Sequence, residues 1–179
     1  MKVSPDVLYP LSLIRASRNL PGLSFEKVDP QDLPEPYQSL LVHEGDMTSR
    51  LEGHHESPVK VRRLRSSNNG NSYLREVILE TEEDEKAVEY GAIEINLEAL
   101  PKEAVPLVLA SHLPLGGILN DHRIPYSSTP RAFLKVAPDG PIVEAFGTVE
   151  ADYLFGRSNV ISGLGGIEIA QIVEILSPA

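Results

Sequence analysis

The sequence predicts an α+β fold built on an antiparallel sheet of about six strands. Three observations carry this expectation. From Pro58 onwards the apolar period changes to two, and three strand-like segments follow one another. A region of helical spacing precedes them, and a second one follows. Three further alternating segments then run to the C-terminus. With no internal repeat and no linker that splits the chain, residues 1–179 are expected to form one domain.

In chain order, residues 1–35 hold five prolines and little periodicity, which predicts an irregular N-terminal arm. "EPYQSLLVHEGDMTSRLEGHH" (35–55) predicts two short helices. Tyr37, Leu40 and Leu41 have helical spacing, and Asp46 can cap a turn starting at Met47. "PVKVRRLR" (58–65), "SYLREVILE" (72–80) and "AVEYGAIEINL" (87–97) are the three strands. "SSNNGN" joins the first two with Asn-Gly, a strong hairpin signal. "TEEDEK" (81–86) joins the next two as a solvated acidic tip, because it lacks the spaced ligands and glycine of a calcium loop. "LPKEAVPLVLAS" and "LPLGGILNDH" are helical but broken by prolines. "TPRAFLKVA" (129–137), "AFGTVEADYLFGRSNVIS" (145–162) and "GIEIAQIVEIL" (166–176) complete the sheet.

Charge and composition narrow the function. Sixteen Lys and Arg against 26 Asp and Glu leave a net charge of −10. Such a surface repels nucleic acid and anionic membranes, so neither is expected as a partner. A small anion would need its own local arginines. Without cysteine there is no disulfide framework, thiol catalysis or thiolate metal site. The N-terminus lacks a sustained apolar stretch, and no run approaches the length of a membrane helix. A cytoplasmic protein is expected.

Most candidate chemistry dissolves on inspection. His43, His54, His55, His112 and His122 show no metal-ligand spacing, so no metal is expected. "GLGGIE" and "LGGIL" lack the strand–loop–helix context of a phosphate loop. The serines lack a nucleophile elbow. The basic run "VKVRRLR" suits protection of an edge strand. Two charged residues stand out instead. Alternation places Arg75 beside Tyr73, Val77 and Leu79 on one apolar face, and Glu174 beside Ala170, Ile172 and Leu176 on another. They could form a structural ion pair with each other. Buried pairs seldom add net stability, however, so a binding site is the other reading.

"GDMTSRLE" (45–52), "YLREVILE" (73–80), "LPLGGIL" (113–119), "PRAFLKV" (130–136), "FGRSN" (155–159) and "IVEILSP" (172–178) together resemble the chorismate pyruvate-lyase family, in family order over about 130 residues. The resemblance implies a six-stranded antiparallel sheet with short helices forming flaps over an internal site. It also implies a cofactor-free carbon–oxygen lyase that converts chorismate to 4-hydroxybenzoate and pyruvate, as in ubiquinone or other quinone biosynthesis. By the same resemblance Arg75 and Glu174 are the catalytic, substrate-binding pair, and Met47 and Leu115 line the substrate. Arg75 would hold a carboxylate through two parallel hydrogen bonds. Glu174 would donate a proton to the departing group or bind the product hydroxyl. Gly117 stands where typical members carry an arginine. The alternative is a non-catalytic module for aromatic carboxylic acids. Related folds serve as effector domains of transcription regulators, and 179 residues leave no room for a helix-turn-helix beside this sheet. A third reading, a purely structural protein, leaves Arg75 unexplained.

Overall fold

The computed structural model describes residues 5–178. Its seven strands form one sheet: β1 (Phe25–Val28), β2 (Val59–Asn68), β3 (Ser72–Thr81), β4 (Ala87–Asn96), β5 (Ser127–Val136), β6 (Leu154–Ser162) and β7 (Glu168–Leu176). The strand order is β1-β5-β6-β7-β4-β3-β2, and every neighbouring pair is antiparallel. The expected α+β class and antiparallel sheet are therefore present. The C-terminal strand β7 closes the sheet by joining the hairpin group β2-β3-β4 to the group β1-β5-β6.

Among the described residues six α-helices accompany the sheet: α1 (Leu11–Ser17), α2 (Tyr37–Leu41), α3 (Met47–His55), α4 (Val105–Ala110), α5 (Leu115–Asp121) and α6 (Gly140–Phe146). Asp46 starts α3 by accepting a 2.8 Å hydrogen bond from the backbone N–H of Ser49, an N-cap that typically contributes about 1 kcal/mol. Pro114 precedes α5, and Asp139 caps α6. Between β2 and β3, Gly70 has φ 95°, the conformation that makes Asn-Gly a hairpin turn.

Two segments differ from expectation. The stretch read as an irregular arm contains α1 and the four-residue edge strand β1. β1 carries exposed Glu26 and Lys27 and is too short to show a period, so its pairing with β5 decides its form. The long segment 145–162 is a strand only from Leu154, because α6 occupies its start and Gly147 follows at φ 88°.

Both faces of the sheet are covered. On one, α1 and α6 pack over Ile78, Tyr90, Leu134 and Ile175. The opposite face carries two apolar clusters. One contains Tyr73, Ile95, Val108, Ile118 and Leu119, drawn from the sheet, α4 and α5. The other contains Leu41, Leu51, Val77, Leu79 and Leu176, drawn from the sheet, α2 and α3. Each fully buried aliphatic side chain contributes roughly 1.5–3 kcal/mol. The helix pairs α2–α3 and α4–α5 are the expected flaps.

Candidate functional site

Strand register builds the floor of a cavity on the flap face. Three rungs cross the central strands. Arg75, Ile93, Ile172 and Asn159 form the first; Val77, Gly91, Glu174 and Arg157 form the second; Leu79, Glu89 and Leu176 form the third. Successive rungs are two residues, or about 7 Å, apart, and neighbouring strands about 4.8 Å. One glycine is indispensable to this register. A Cβ on Gly156 would lie 2.1 Å from the carbonyl oxygen of Glu174, so β6 approaches β7 at the distance required only without a side chain.

The first turns of α3 and α5 form the roof. Met47 and Leu115, each the first residue of its helix, are buried and line the cavity. The two flaps touch closely: a Cβ on Gly116 would stand 3.0 Å from Thr48 Oγ1 and 3.1 Å from Asp46 Cβ. Asn120 Nδ2 donates to Asp46 Oδ2 at 3.1 Å, and the Tyr126 hydroxyl donates to Asn120 Oδ1 at 3.1 Å. Floor and roof together bound a partly open cavity.

Arg75 and Glu174 both face this cavity, but they are not each other's partner. They lie two strands and one rung apart, roughly 12 Å between Cα atoms on an ideal sheet. Glu174 is bound instead by Arg157, whose Nε donates to its Oε2 at 2.7 Å. Arg157 Nη1 also donates to the carbonyls of Leu41, at 3.3 Å, and His43, at 3.2 Å. This cation is thus consumed by protein groups, and it ties the sheet floor to the link between α2 and α3.

Arg75 has no comparable partner. It is 3 % exposed, its Nε and Nη1 make no hydrogen bond, and among the described residues no carboxylate forms a salt bridge with it. Burial lowers its pKa to about 10, partly opposed by Tyr73 and reinforced by Arg63, which leaves it cationic at neutral pH. A fully desolvated guanidinium with unmade hydrogen bonds is costly to keep in a folded protein.

Two residues escaped the sequence reading. Arg157 lies inside the quoted "FGRSN", where alternation would place it on one face with Asn159 and Ile161. Glu89 shares the apolar face of β4 with Gly91 and Ile93, the same signal that singled out Arg75. It is buried, lines the cavity, and its Oε1 has no partner. Burial pushes its carboxyl well above the ordinary range; the nearby Glu174 adds to this and Arg157 opposes it. Ser128 and Asn159, also on the wall, satisfy each other at 2.8–3.1 Å. No group of three or more His, Cys, Asp or Glu among the described residues is placed to hold a metal.

The fold is that of the effector domains of transcriptional regulators, an architecture that chorismate lyase shares. The chain is similar to PhnF from Mycobacterium smegmatis, at 12% identity and a TM-score of 0.58, over 76% of this chain and 65% of that one. It is similar to the isolated effector domain of PhnF at 13% identity and TM-score 0.55, over 74% of this chain and 88% of that domain. A possible transcriptional regulator, YydK from Bacillus subtilis, matches at 9% identity and TM-score 0.50, over 66% of this chain and 58% of that one. No protein-family model matches the chain, and no curated protein matches it in sequence.

These likenesses correct four expectations. The neighbours are regulators and not lyases, so the enzyme reading, with conversion of chorismate to 4-hydroxybenzoate and pyruvate, does not stand. The link to quinone biosynthesis falls with it. The short family motifs fall on the scaffold of this chain: they cover strands, helix starts and Gly156. Nor does the expected absence of a nucleic-acid partner stand, because overall negative charge describes one surface and transcriptional regulators work at nucleic acid. Among the described residues no helix is long and apolar enough to cross a membrane.

Proposed function

We propose that this chain is a ligand-binding module of the effector type, which takes a small organic carboxylate on Arg75. One observation carries the reading: a buried guanidinium lines a cavity with Nε and Nη1 unbonded. The guanidinium is planar, and paired N–H groups of such a fork match the two oxygens of a carboxylate. The walls contributed by Met47, Val77, Ile93, Leu115 and Ile172 are apolar, which suits the body of an aromatic acid. Glu174 and Arg157 brace the floor as a closed pair. Regulation would follow from the roof, since a ligand under the first turns of α3 and α5 bears on both flaps. The chain spans 65% of full-length PhnF and 88% of its effector domain, and a nucleic-acid-binding part would lie outside this module. A cytoplasmic location fits that role.

Isothermal titration with a panel of aromatic and aliphatic carboxylates tests the proposal. Arg75→Ala should weaken binding by about 2–5 kcal/mol, at least about thirtyfold, while circular dichroism shows an intact fold. Arg75→Lys should recover only part, because an ammonium cannot make the bidentate contact. Unchanged affinity in Arg75→Ala, or sustained pyruvate release from chorismate by the wild-type protein, would overturn it.

A further inference from the structure

We propose that the cavity selects monocarboxylates bearing a neutral hydrogen-bond acceptor at the end away from Arg75, and that Glu89 reads that end. This rests on the carboxylate site proposed above and specifies the ligand it takes. Arg75 stands on the first rung of the floor and Glu89 on the third, one strand across. On an ideal sheet their Cα atoms are roughly 14 Å apart, and both side chains line the one cavity.

The charge count then limits the ligand. Of the two cations lining the cavity, Arg157 is neutralised by Glu174 at 2.7 Å, and its Nε and Nη1 are already donated. Only Arg75 has charge to spare, so one ligand carboxylate balances the site. A second carboxylate would enter a desolvated space with no free cation to meet it. Glu89 Oε1 has no partner within the protein, and an unmet polar atom lining a cavity points to a ligand group. Because burial and the neighbouring carboxylate favour its protonated form, Glu89 is a donor there. Its complement is a hydroxyl, ether or carbonyl oxygen. Selectivity thus comes from two orphaned side chains of opposite character at the two ends of one cavity.

Three probes decide this on the full chain by titration calorimetry: 4-hydroxybenzoate, 4-methylbenzoate and terephthalate. The hydroxy acid should bind at least about tenfold more tightly than the methyl isostere, the worth of one buried hydrogen bond, and more tightly than the dianion. Glu89→Met should erase the preference for hydroxyl over methyl, whereas Glu89→Gln, which keeps an N–H donor, should retain it. Equal binding of all three probes, tighter binding of terephthalate, or a preference that survives in Glu89→Met would overturn the inference while leaving Arg75 as a carboxylate anchor. Should Glu89→Met not fold, loss of the preference in Glu89→Gln overturns it equally. If none of the three binds, the carboxylate site itself fails and the inference fails with it.

Discussion

Arg75 and Glu76 are adjacent in the chain, both are buried, and they meet opposite fates on the two faces of β3. Glu76, 1 % exposed, accepts from the Tyr90 hydroxyl at 2.6 Å, from Arg65 Nη1 at 2.7 Å and from Arg18 Nη1 at 3.4 Å. Arg75, 3 % exposed, has neither a salt bridge nor a partner for Nε and Nη1. Burial alone therefore does not mark a site. A buried charge whose partners come from the protein is accounted for by the fold, and one whose partners are missing calls for another explanation, which is the ground for the ligand site proposed on Arg75. The same contrast separates Arg157 from Arg75 within the cavity.

Three measurements would break or sharpen this contrast. The largest effect belongs to the satisfied side. Glu76→Ala strands the Tyr90 hydroxyl and frees two arginines, and should lower unfolding stability by about 2–3 kcal/mol in urea titrations. A loss under about 0.5 kcal/mol would make the network on that face ornamental. On the orphaned side the sign should reverse. Arg75→Met replaces an unpaired buried cation with an apolar chain of similar length, and should leave stability unchanged or raise it by about 1–2 kcal/mol without ligand. A loss comparable to that of Glu76→Ala would make Arg75 a structural residue and erase the distinction. The smallest effect concerns Glu89. Its folded pKa lies above the ordinary value of 4.5, so its contribution is fully present below that pH and is lost as pH rises towards the folded value. Relative to wild type, Glu89→Gln should have a flatter stability profile above pH 4.5 and gain on the order of 1 kcal/mol at pH 7.5. An identical slope in both proteins would show that Glu89 is not held protonated by the fold.

Local rules explain which elements were legible. Two-residue alternation located β2, β3, β4, β5 and β7, and an Asp cap before Met47 located the start of α3. They failed where a segment has too few residues for a period, as in β1. They also failed where apolar content mimics a strand, as before Leu154. In the site, alternation put Arg75 and Glu174 on buried faces and would have done the same for Glu89 and Arg157. The short motifs around them matched a family whose scaffold this chain has, but a scaffold does not carry its chemistry with it.

The pattern along the chain was enough to determine that Arg75 and Glu174 turn inward, because side-chain direction in a strand follows from the pleat and needs no knowledge of neighbours. It also indicated, through the Asp46 cap, that a helix begins at Met47. Which charge meets which was decided only by tertiary structure. Insertion of β7 between β4 and β6 puts Arg157 directly opposite Glu174, and β4 then separates Glu174 from Arg75. Strand order and register are long-range properties, fixed by packing both faces of the sheet at once. The pairing of Arg157 and the unbonded Nε and Nη1 of Arg75 in one cavity are products of that packing.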